Sequence, residues 1–317
     1  MSREAAVTAE GTVTAELAWE LGLAPEVRMT LHGYRIEFGG LPATVWRVPG
    51  TVTLLASGPQ RLTVAAAWSA VAAAGPGENG FVELALMERP GERDRMSAAA
   101  AAAGFGPAWA GDGLTLAENH PVRARGYPGT RLLVRSELPL GTGAGIGAAI
   151  ETAIRLCLGN PAARGPEAEH AAGCAVLGPL RVPCDLATAG LRLMLIDTRI
   201  RRAPQTALAQ DSPVTEAAAA AMAGDYAKLG RMLTAAHENQ PGDPEQHAAV
   251  TAALRAGALG GRALTEGPGR PVLLLVPVDQ IAAVRAGVSA EFARGGARAP
   301  RFLTFTPAGA PEQPAPL

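Results

Sequence analysis

The sequence predicts an α+β protein that is divided into two domains. Its 317 residues are long enough for two domains, and its 48% hydrophobic content supplies a sizeable core. Near the C-terminus, an apolar strand (GRPVLLLVPV), a helical segment (DQIAAVRAGVSAEFARGG) and a second strand (RFLTFTP) form a β-α-β unit of the ferredoxin-like kind. In the other half, a strand with the sequence RLLVRSEL breaks at Pro139 and is followed by four glycines and a helical pattern.

The first hundred residues predict a helix, strands and an alanine-rich helix, in that order. The segment AELAWELGL has a helical pattern, and TVWRVPGTVTLLA predicts two strands joined by a turn at Pro49–Gly50. The apolar run RLTVAAAWSAVAAAG is compatible with a strand or a helix, because short alanine-rich runs do not separate the two. The run Ala98–Ala103 predicts a helix from propensity alone.

The second half contains a buried strand, three helices and the closing β-α-β unit. The strand LRLMLIDTRIRR at 191–202 opens the second domain, and helices are expected at 213–223, at 226–238 and in a segment ending at Gly257. The N-terminal domain is therefore placed at residues 1–187 and the C-terminal domain at 188–310. The Pro-rich segment 311–317 is expected to be a disordered tail.

Composition excludes several classes of partner. Lys and Arg total 28 against 29 Asp and Glu, so the chain lacks the basic excess expected of a nucleic-acid-binding protein. The longest apolar strings, such as residues 271–278, are too short to cross a membrane. Cys157, Cys174 and Cys184 are odd in number and show no CxxC spacing, which argues against a disulfide framework or a zinc site. A cytoplasmic protein with a small-molecule ligand, sugar-like or phosphorylated, is expected.

A glycine-rich loop between a strand and a helix is the strongest candidate for a binding site. Gly141, Gly143, Gly145 and Gly147 carry no side chains, so successive backbone amides can form an anion-binding nest at the positive end of a helix that starts near Gly147. The alternative is a glycine-rich turn whose glycines only allow the helix to pack closely on the sheet. A dinucleotide-binding G-x-G-x-x-A pattern also fits, but no ribose-binding acid follows at the expected spacing.

The loop and three later segments resemble one kinase family. The loop PLGTGAGIGAAIE resembles the ATP-cradling loop P-x-G-x-G-L-S-S-S-A-A-L-E of galactokinases, a branch of the GHMP kinases. VPCDLATAGLRLMLIDTRIRRA, LGRMLTAAHENQ and GALGGRALTEGPGRPVLLLVP resemble successive galactokinase segments in the same order. The resemblance implies the GHMP kinase fold, with an N-terminal domain like domain 2 of ribosomal protein S5 and a ferredoxin-like C-terminal domain. It also implies a set of nucleotide-binding residues: Gly141, Thr142, Gly143, Ala144, Gly145, Gly147 and Gly267.

The family's sugar-binding motif is altered in this chain. Galactokinases read P-G-R-V-N-L-I-G-E-H-T-D-Y, where the Glu, His and Asp contact the sugar and the Arg supports phosphoryl transfer. The matching residues 49–61 have Ser57, Gly58 and Gln60 in place of the sugar contacts and Thr51 in place of the Arg. Recognition of galactose in the family's manner is therefore not expected. The candidate substrate residues are Ser57, Gln60, Arg61 and His237.

The family's catalytic and metal-binding residues are also altered. One of the three loop serines holds magnesium in the family, and these positions are Gly145, Ile146 and Gly147 here. The family's catalytic base corresponds to Gly178, so no catalytic residue is assigned. Glu169 matches a family acid that bears on magnesium, with a solvated surface acid as the alternative.

The third glycine motif also differs from the family's. The family's G-G-G-F-G-G becomes TEGPGR, which brings Glu266 toward the phosphates unless Arg270 or Arg262 offsets its charge. This loop is expected to face the PLGTGAG loop. ATP and magnesium are implied by the resemblance, but the altered residues argue against both.

Two functions follow from the resemblance. The first is a galactokinase-like protein with eroded catalytic motifs, a pseudokinase that binds a small molecule or acts as a regulator. The alternative is an ATP-dependent kinase for a non-galactose sugar, a cyclitol or another small alcohol.

Overall fold

The computed structural model describes residues 22–114, 129–142, 144–160, 169–201, 212–239, 242–264 and 269–314. Most of the predicted helix AELAWELGL lies outside these residues. The described chain contains two β-sheets with helices packed on them, so the predicted α+β class is confirmed.

The first sheet contains seven strands, six of which form a continuous path. The strands are β1 (Thr44–Ser57), β2 (Gln60–Pro76), β3 (Phe81–Leu86), β4 (Arg93–Ser97), β5 (Thr130–Ser136), β6 (Cys174–Leu177) and β7 (Leu180–Pro183). Their order is β4-β3-β5-β2-β6-β7, and β1 pairs with β2 along nearly its whole length. All pairs are antiparallel except β3 with β5.

The long β1–β2 hairpin corrects one prediction and decides another. The turn predicted at Pro49–Gly50 is wrong, because β1 continues through both residues with only a shift in register before Thr51. The chain reverses at Gly58 instead, whose φ of 53° lies in the left-handed region that favours glycine. The ambiguous alanine-rich run is the strand β2.

Helices cover both faces of the first sheet. Helix α1 (Pro25–Phe38) packs its buried side on one face of the sheet, where Val71 and Ala73 of β2 lie. Helix α3 (Ile146–Cys157) packs with Ala70 and Ala72 of β2 in the main core. A strand covered on both faces is apolar throughout, which is why periodicity could not distinguish β2 from a helix. The alanine run forms the short helix α2 (Ala98–Ala102), as predicted.

The second sheet has four antiparallel strands in the order β11-β8-β10-β9. They are β8 (Leu191–Asp197), β9 (Gly260–Ala263), β10 (Val272–Pro277) and β11 (Arg301–Phe305). Helix α7 (Ile281–Arg294) connects β10 to β11 across β8, which confirms the split β-α-β unit of the ferredoxin-like kind. Helices α6 (Pro244–Arg255) and α7 cover one face, and the other face joins the core of the first sheet.

The remaining helices also lie where they are predicted. Helices α4 (Val214–Met222) and α5 (Tyr226–Glu238) follow β8 in sequence. The predicted division after residue 187 falls between the last strand of the first sheet and the first strand of the second, and the domain boundaries themselves stay a prediction. No helix of the described residues is both long and apolar enough to cross a membrane.

The C-terminal segment differs from its prediction. Glu312 exchanges two backbone hydrogen bonds with Arg47 on the edge of β1, each 2.9 Å long. Residues 311–314 therefore lie against the sheet rather than forming a disordered tail, because an open strand edge offers them backbone partners. Residues 315–317 lie outside the described residues.

Candidate functional site

The glycine loop is fixed against the β1–β2 hairpin. Gly141 and Gly145 have backbone φ values of 78° and 74°, which residues other than glycine rarely adopt. A Cβ atom on Gly145 would lie 2.1 Å from the carbonyl oxygen of Thr51. The indole Nε1 of Trp68 donates a buried hydrogen bond of 2.9 Å to the carbonyl oxygen of Ala144. Gly145 is therefore required by close packing whether or not the loop binds a ligand.

The helix after this loop presents its first turn to solvent. Helix α3 begins at Ile146, one residue before the predicted start, and no side chain caps it. Gly147 and Ala148 in its first turn are exposed. The first backbone amides of a helix have no hydrogen-bond partner within the helix. They therefore give the N-terminal end of the helix a partial positive charge. Gly143 of the predicted nest lies outside the described residues.

A cavity of about 310 Å³ lies at this end of α3. It is lined by residues from β1, β2, α3, β6 and their connections: Thr51, Thr53, Pro59, Arg61, Thr63, Gly145, Ala148, His170, Val176 and Gly178. None of these lining residues is an aspartate or a glutamate, whereas one is an arginine, one a histidine and three are threonines. The described lining is therefore rich in hydrogen-bond donors and carries no negative charge.

A histidine joins two distant parts of the chain beside this cavity. The Nε2 atom of His170 lies 3.2 Å from Oγ1 of Thr63, and the His170 side chain is buried. The two residues are 107 positions apart in sequence. Neither Thr53 nor Thr63 was predicted as a site residue, since threonines on apolar strands give no signal of their own.

The structure brings together some of the predicted site residues. Arg61 and Gly178 both line the cavity, and Gly178 occupies the turn between β6 and β7 with a φ of 58°. Ser57 and Gln60 flank the tip of the β1–β2 hairpin and are not among the lining residues. Gly178, which is predicted to correspond to the family's catalytic base, therefore lines the cavity and carries no side chain.

His237 lies apart from this cavity. Its Nδ1 atom accepts a hydrogen bond of 3.2 Å from the amide of Ala263, and its ring packs on His247 with 4.4 Å between the centroids. Burial lowers the pKa of His237 to about 4, with smaller contributions from His247 and Arg262. The neutral imidazole thus connects α5 to β9. A substrate-binding role for His237 stays a prediction.

The described residues do not fit a magnesium ion. The carboxylate of Glu169 is 44% exposed and lies 3.4 Å from the guanidinium of Arg181. Among the residues with described positions, no three His, Cys, Asp or Glu side chains cluster as metal ligands. Magnesium is usually held through carboxylates, and the cavity lining offers none. The described residues of this cavity therefore offer magnesium no set of ligands.

The last glycine of the second glycine motif packs directly on the first loop. A Cβ atom on Gly269 would lie 2.1 Å from the carbonyl oxygen of Thr142, and the Thr142 side chain is buried. Arg270 is buried and pairs with the carboxylate of Asp243 at 3.0 Å. Arg262 is also buried and donates to the carbonyl oxygen of Leu54 at 3.0 Å. Both guanidinium groups thus have partners within the protein.

The remaining residues of the second loop, including Glu266 and Gly267, lie outside the described residues. Their predicted effects on nucleotide binding accordingly stay predictions.

Comparison with known proteins shows that this arrangement is similar to that of several small-molecule kinases. No protein-family model matches the sequence. A galactokinase of Streptomyces coelicolor A3(2) is 26% identical over 252 residues, an alignment that covers 61% of this chain and 62% of the relative. The chain thus matches less than two thirds of that relative's length.

Solved structures extend the comparison to between 84% and 89% of this chain. The galactokinase of Lactococcus lactis, crystallised with galactose, has a TM-score of 0.72 at 15% identity, over 89% of this chain and 98% of that one. A D-glycero-D-manno-heptose 1-phosphate kinase from Bacteroides thetaiotaomicron has a TM-score of 0.58 at 13% identity, over 85% and 98%. The mevalonate kinase of Methanococcus jannaschii has a TM-score of 0.55 at 12% identity, over 84% and 98%.

The two sheets, their helices and these similarities give the chain the fold of the GHMP kinases. Its sequence and its structure are both similar to those of galactokinases. The expected fold is therefore confirmed. What the cavity binds and whether it supports catalysis are separate questions, because one fold carries many functions.

Proposed function

We propose that this protein binds a small molecule in the cavity at the start of α3 and does not phosphorylate it efficiently. The observation that carries the proposal is the absence of any carboxylate from the described cavity lining, with Gly178 at the position of the family's base. A general base must lie within hydrogen-bonding distance of the proton that it removes. A glycine supplies no such group.

The other polar side chains of the lining are poor replacements for that base. Threonine hydroxyls do not accept a proton near neutral pH. The Nε2 atom of His170 is already within hydrogen-bonding distance of Thr63. Loss of a general base alone lowers a rate by about 10²–10⁴-fold, and a cavity without carboxylates also lacks the ligands that position magnesium and the transferred phosphoryl group.

An ATP-dependent kinase for a small alcohol is the second candidate. It is supported by the position of His170, whose imidazole lines the same cavity as the first turn of α3. An imidazole is the commonest general base in enzymes, and the amides of a helix N-terminus favour phosphate. This candidate requires the metal ligands to come from outside the described residues.

Turnover measurements separate the two functions. The intact protein is incubated with Mg-ATP and a panel of sugars, cyclitols and amino alcohols, and release of ADP is followed. We expect no turnover above the background hydrolysis of ATP. A rate of about 1–100 per second, which is typical of kinases, would contradict the proposal. The His170→Gln variant is the control, because activity that disappears with it would assign the base to the imidazole.

A further inference from the structure

We propose that this protein forms a two-fold symmetric dimer in which the outer face of α1 packs on the same face of a second copy. The inference goes beyond the proposed function, because it concerns a surface on the other side of the first sheet from the cavity. It is carried by the exposed residues of α1, by their spacing along the helix and by the charges beside them.

The solvent-facing side of α1 is apolar. Its exposed residues are Pro25, Met29, His32 and Ile36, which form the α1 stripe, and none of the four is an acidic residue, a lysine or an arginine. Ile36 is 72% exposed and Met29 is 48% exposed. Of the seven large apolar residues that the described part of the chain exposes, three lie on α1 or just beyond its end, at Leu41. Single exposed apolar residues are normal, whereas a continuous stripe marks an interaction surface.

The spacing of the α1 stripe suits one further helix. Its residues follow one another at intervals of four, three and four positions. Successive residues of a helix are turned by about 100°, so the stripe is only about 60° wide. A narrow apolar seam that repeats every 3.5 residues is typical of a helix that packs on a single other helix. The opposite side of α1 is already used, because Val27, Leu31 and Tyr34 are buried against the first sheet.

The charges beside the α1 stripe complement those of a second copy. Arg28 and Arg35 lie on one side of the stripe, and Glu26 and Glu37 lie on the other side. Both acids also contact an arginine of the first sheet. A two-fold axis parallel to α1 places the basic side of each helix beside the acidic side of its partner. An antiparallel pair would instead place Arg28 toward the partner's Arg35, and like charges repel. The charges therefore favour a parallel pair, which closes as a dimer.

In such a pair each residue of the α1 stripe meets the same residue of the partner. Met29 and Ile36 then form apolar layers on either side of His32, and two neutral imidazoles can hydrogen-bond to each other. The 14 residues of α1 span about 21 Å, which gives a small interface. We expect a dissociation constant of about 10–100 µM, so the protein is monomeric at about 1 µM.

The dimer leaves the cavity open. Helix α1 packs on the face of the first sheet where Val71 and Ala73 lie, whereas α3 packs on the face with Ala70 and Ala72. The start of α3 therefore points away from the partner. Substitutions in the α1 stripe should change association without changing turnover or ligand binding, so this proposal and the proposed function can fail separately.

Sedimentation equilibrium of the intact protein, from about 1 to 500 µM, tests the association. We expect the mass to rise from that of a monomer to that of a dimer. Ile36→Glu should weaken association at least about tenfold, because it places one carboxylate from each copy at the same point of the seam. Ile36→Leu should preserve association.

The matched control is Met222→Glu. Met222 is 56% exposed and, like Ile36, it lies in the last turn of a helix, so the added charge acts similarly on folding. This variant should associate as the wild type does, and urea unfolding verifies that both glutamate variants are folded. Equal association of the two variants would overturn the proposal. A protein that stays monomeric at 500 µM would also overturn it, and the α1 stripe would then belong to a different partner.

Cross-linking tests the orientation of the two helices. Ile36→Cys is oxidised with diamide at about 100 µM, and the products are separated on a non-reducing gel. A parallel pair brings the two new thiols together, so we expect a disulfide-linked dimer that the wild type, with its own three cysteines, does not form. Cross-linking that requires a mixture of Met29→Cys and Ile36→Cys would show an antiparallel pair and overturn the parallel arrangement.

Discussion

The indole nitrogen of Trp68 donates a hydrogen bond of 2.9 Å to the carbonyl oxygen of Ala144, in the buried interior of the protein. This bond joins the central strand of the first sheet to the glycine loop, 76 positions further along the chain. Gly50 leaves space for the same indole, since a Cβ atom there would lie 2.7 Å from its Nε1. The loop conformation is therefore fixed by the sheet beneath it before any ligand binds.

Two glycines of this loop should respond oppositely to the same substitution. Gly145→Ala should lower the free energy of unfolding by at least about 2 kcal/mol, because it adds a Cβ at a φ of 74° and 2.1 Å from the carbonyl oxygen of Thr51. Gly147→Ala should raise it by about 0.4–1 kcal/mol, because that position lies in the helix with open space around its Cβ. Urea unfolding of both variants provides the measurement, and similar effects of the two would contradict the described packing.

The position of the family's base allows a second matched comparison. Gly178 has a φ of 58° and no atom within 4 Å of a Cβ placed on it, and Asn and Asp tolerate this backbone conformation best among the other residues. Gly178→Asp introduces a carboxylate into the cavity, whereas Gly178→Asn introduces a neutral side chain of similar size. Gly178→Asp should not create kinase turnover, because the rest of the described lining supplies no further carboxylate with which to hold magnesium. Turnover by Gly178→Asp alone would mean that such ligands exist elsewhere.

The stability of the protein should depend on pH through His237. Burial, with smaller contributions from His247 and Arg262, lowers the pKa of this side chain from 6.5 to about 4. Between these values the unfolded chain binds a proton at His237 and the folded chain does not, so the free energy of unfolding decreases as the pH falls from 6.5 to 4. His237→Gln should reduce the loss of stability between pH 7 and pH 5, measured by urea unfolding.

The control for this prediction is an exposed histidine on α1. His32→Gln should leave the pH dependence of stability unchanged, because the His32 side chain is exposed on α1. An equal reduction by both variants would show that the buried environment of His237 is not the cause.

The fold could be predicted well from the sequence because local patterns determine its helices and strands and the order of the motifs indicates how they are arranged. The β-α-β unit, the alanine helix α2 and the helices α4, α5 and α6 all follow from periodicity and propensity. The prediction of a turn at Pro49–Gly50 was wrong because it relied on residue type alone. Pro and Gly usually mark turns, but here Gly50 makes room for the indole of Trp68 inside a continuous strand.

The cavity could be predicted only in part. Gly145, Arg61 and Gly178 were found because they occupy positions of family motifs. The contact between Thr63 and His170 depends on the pairing of β2 with β6, and no local pattern contains that information. The absence of carboxylates from the lining likewise became visible only once distant segments were brought together.

ATP should bind weakly, and magnesium should not improve its affinity. The backbone of Gly269 packs directly on the carbonyl oxygen of Thr142, and the guanidinium of Arg270 is paired with the carboxylate of Asp243. The exposed first turn of α3 still favours anions, but such a helix terminus contributes only about 0.3–1 kcal/mol at a surface. Without carboxylates in the described lining, magnesium has no ligands there through which to bridge the protein and the phosphates.

Calorimetric titration with ATP, in the presence and absence of magnesium, should give a dissociation constant weaker than about 1 mM in both cases. A cooperative urea-unfolding transition of the same preparation serves as the control for folded protein. Micromolar affinity that requires magnesium would show that the metal ligands lie outside the described residues, and the kinase would then be the better assignment.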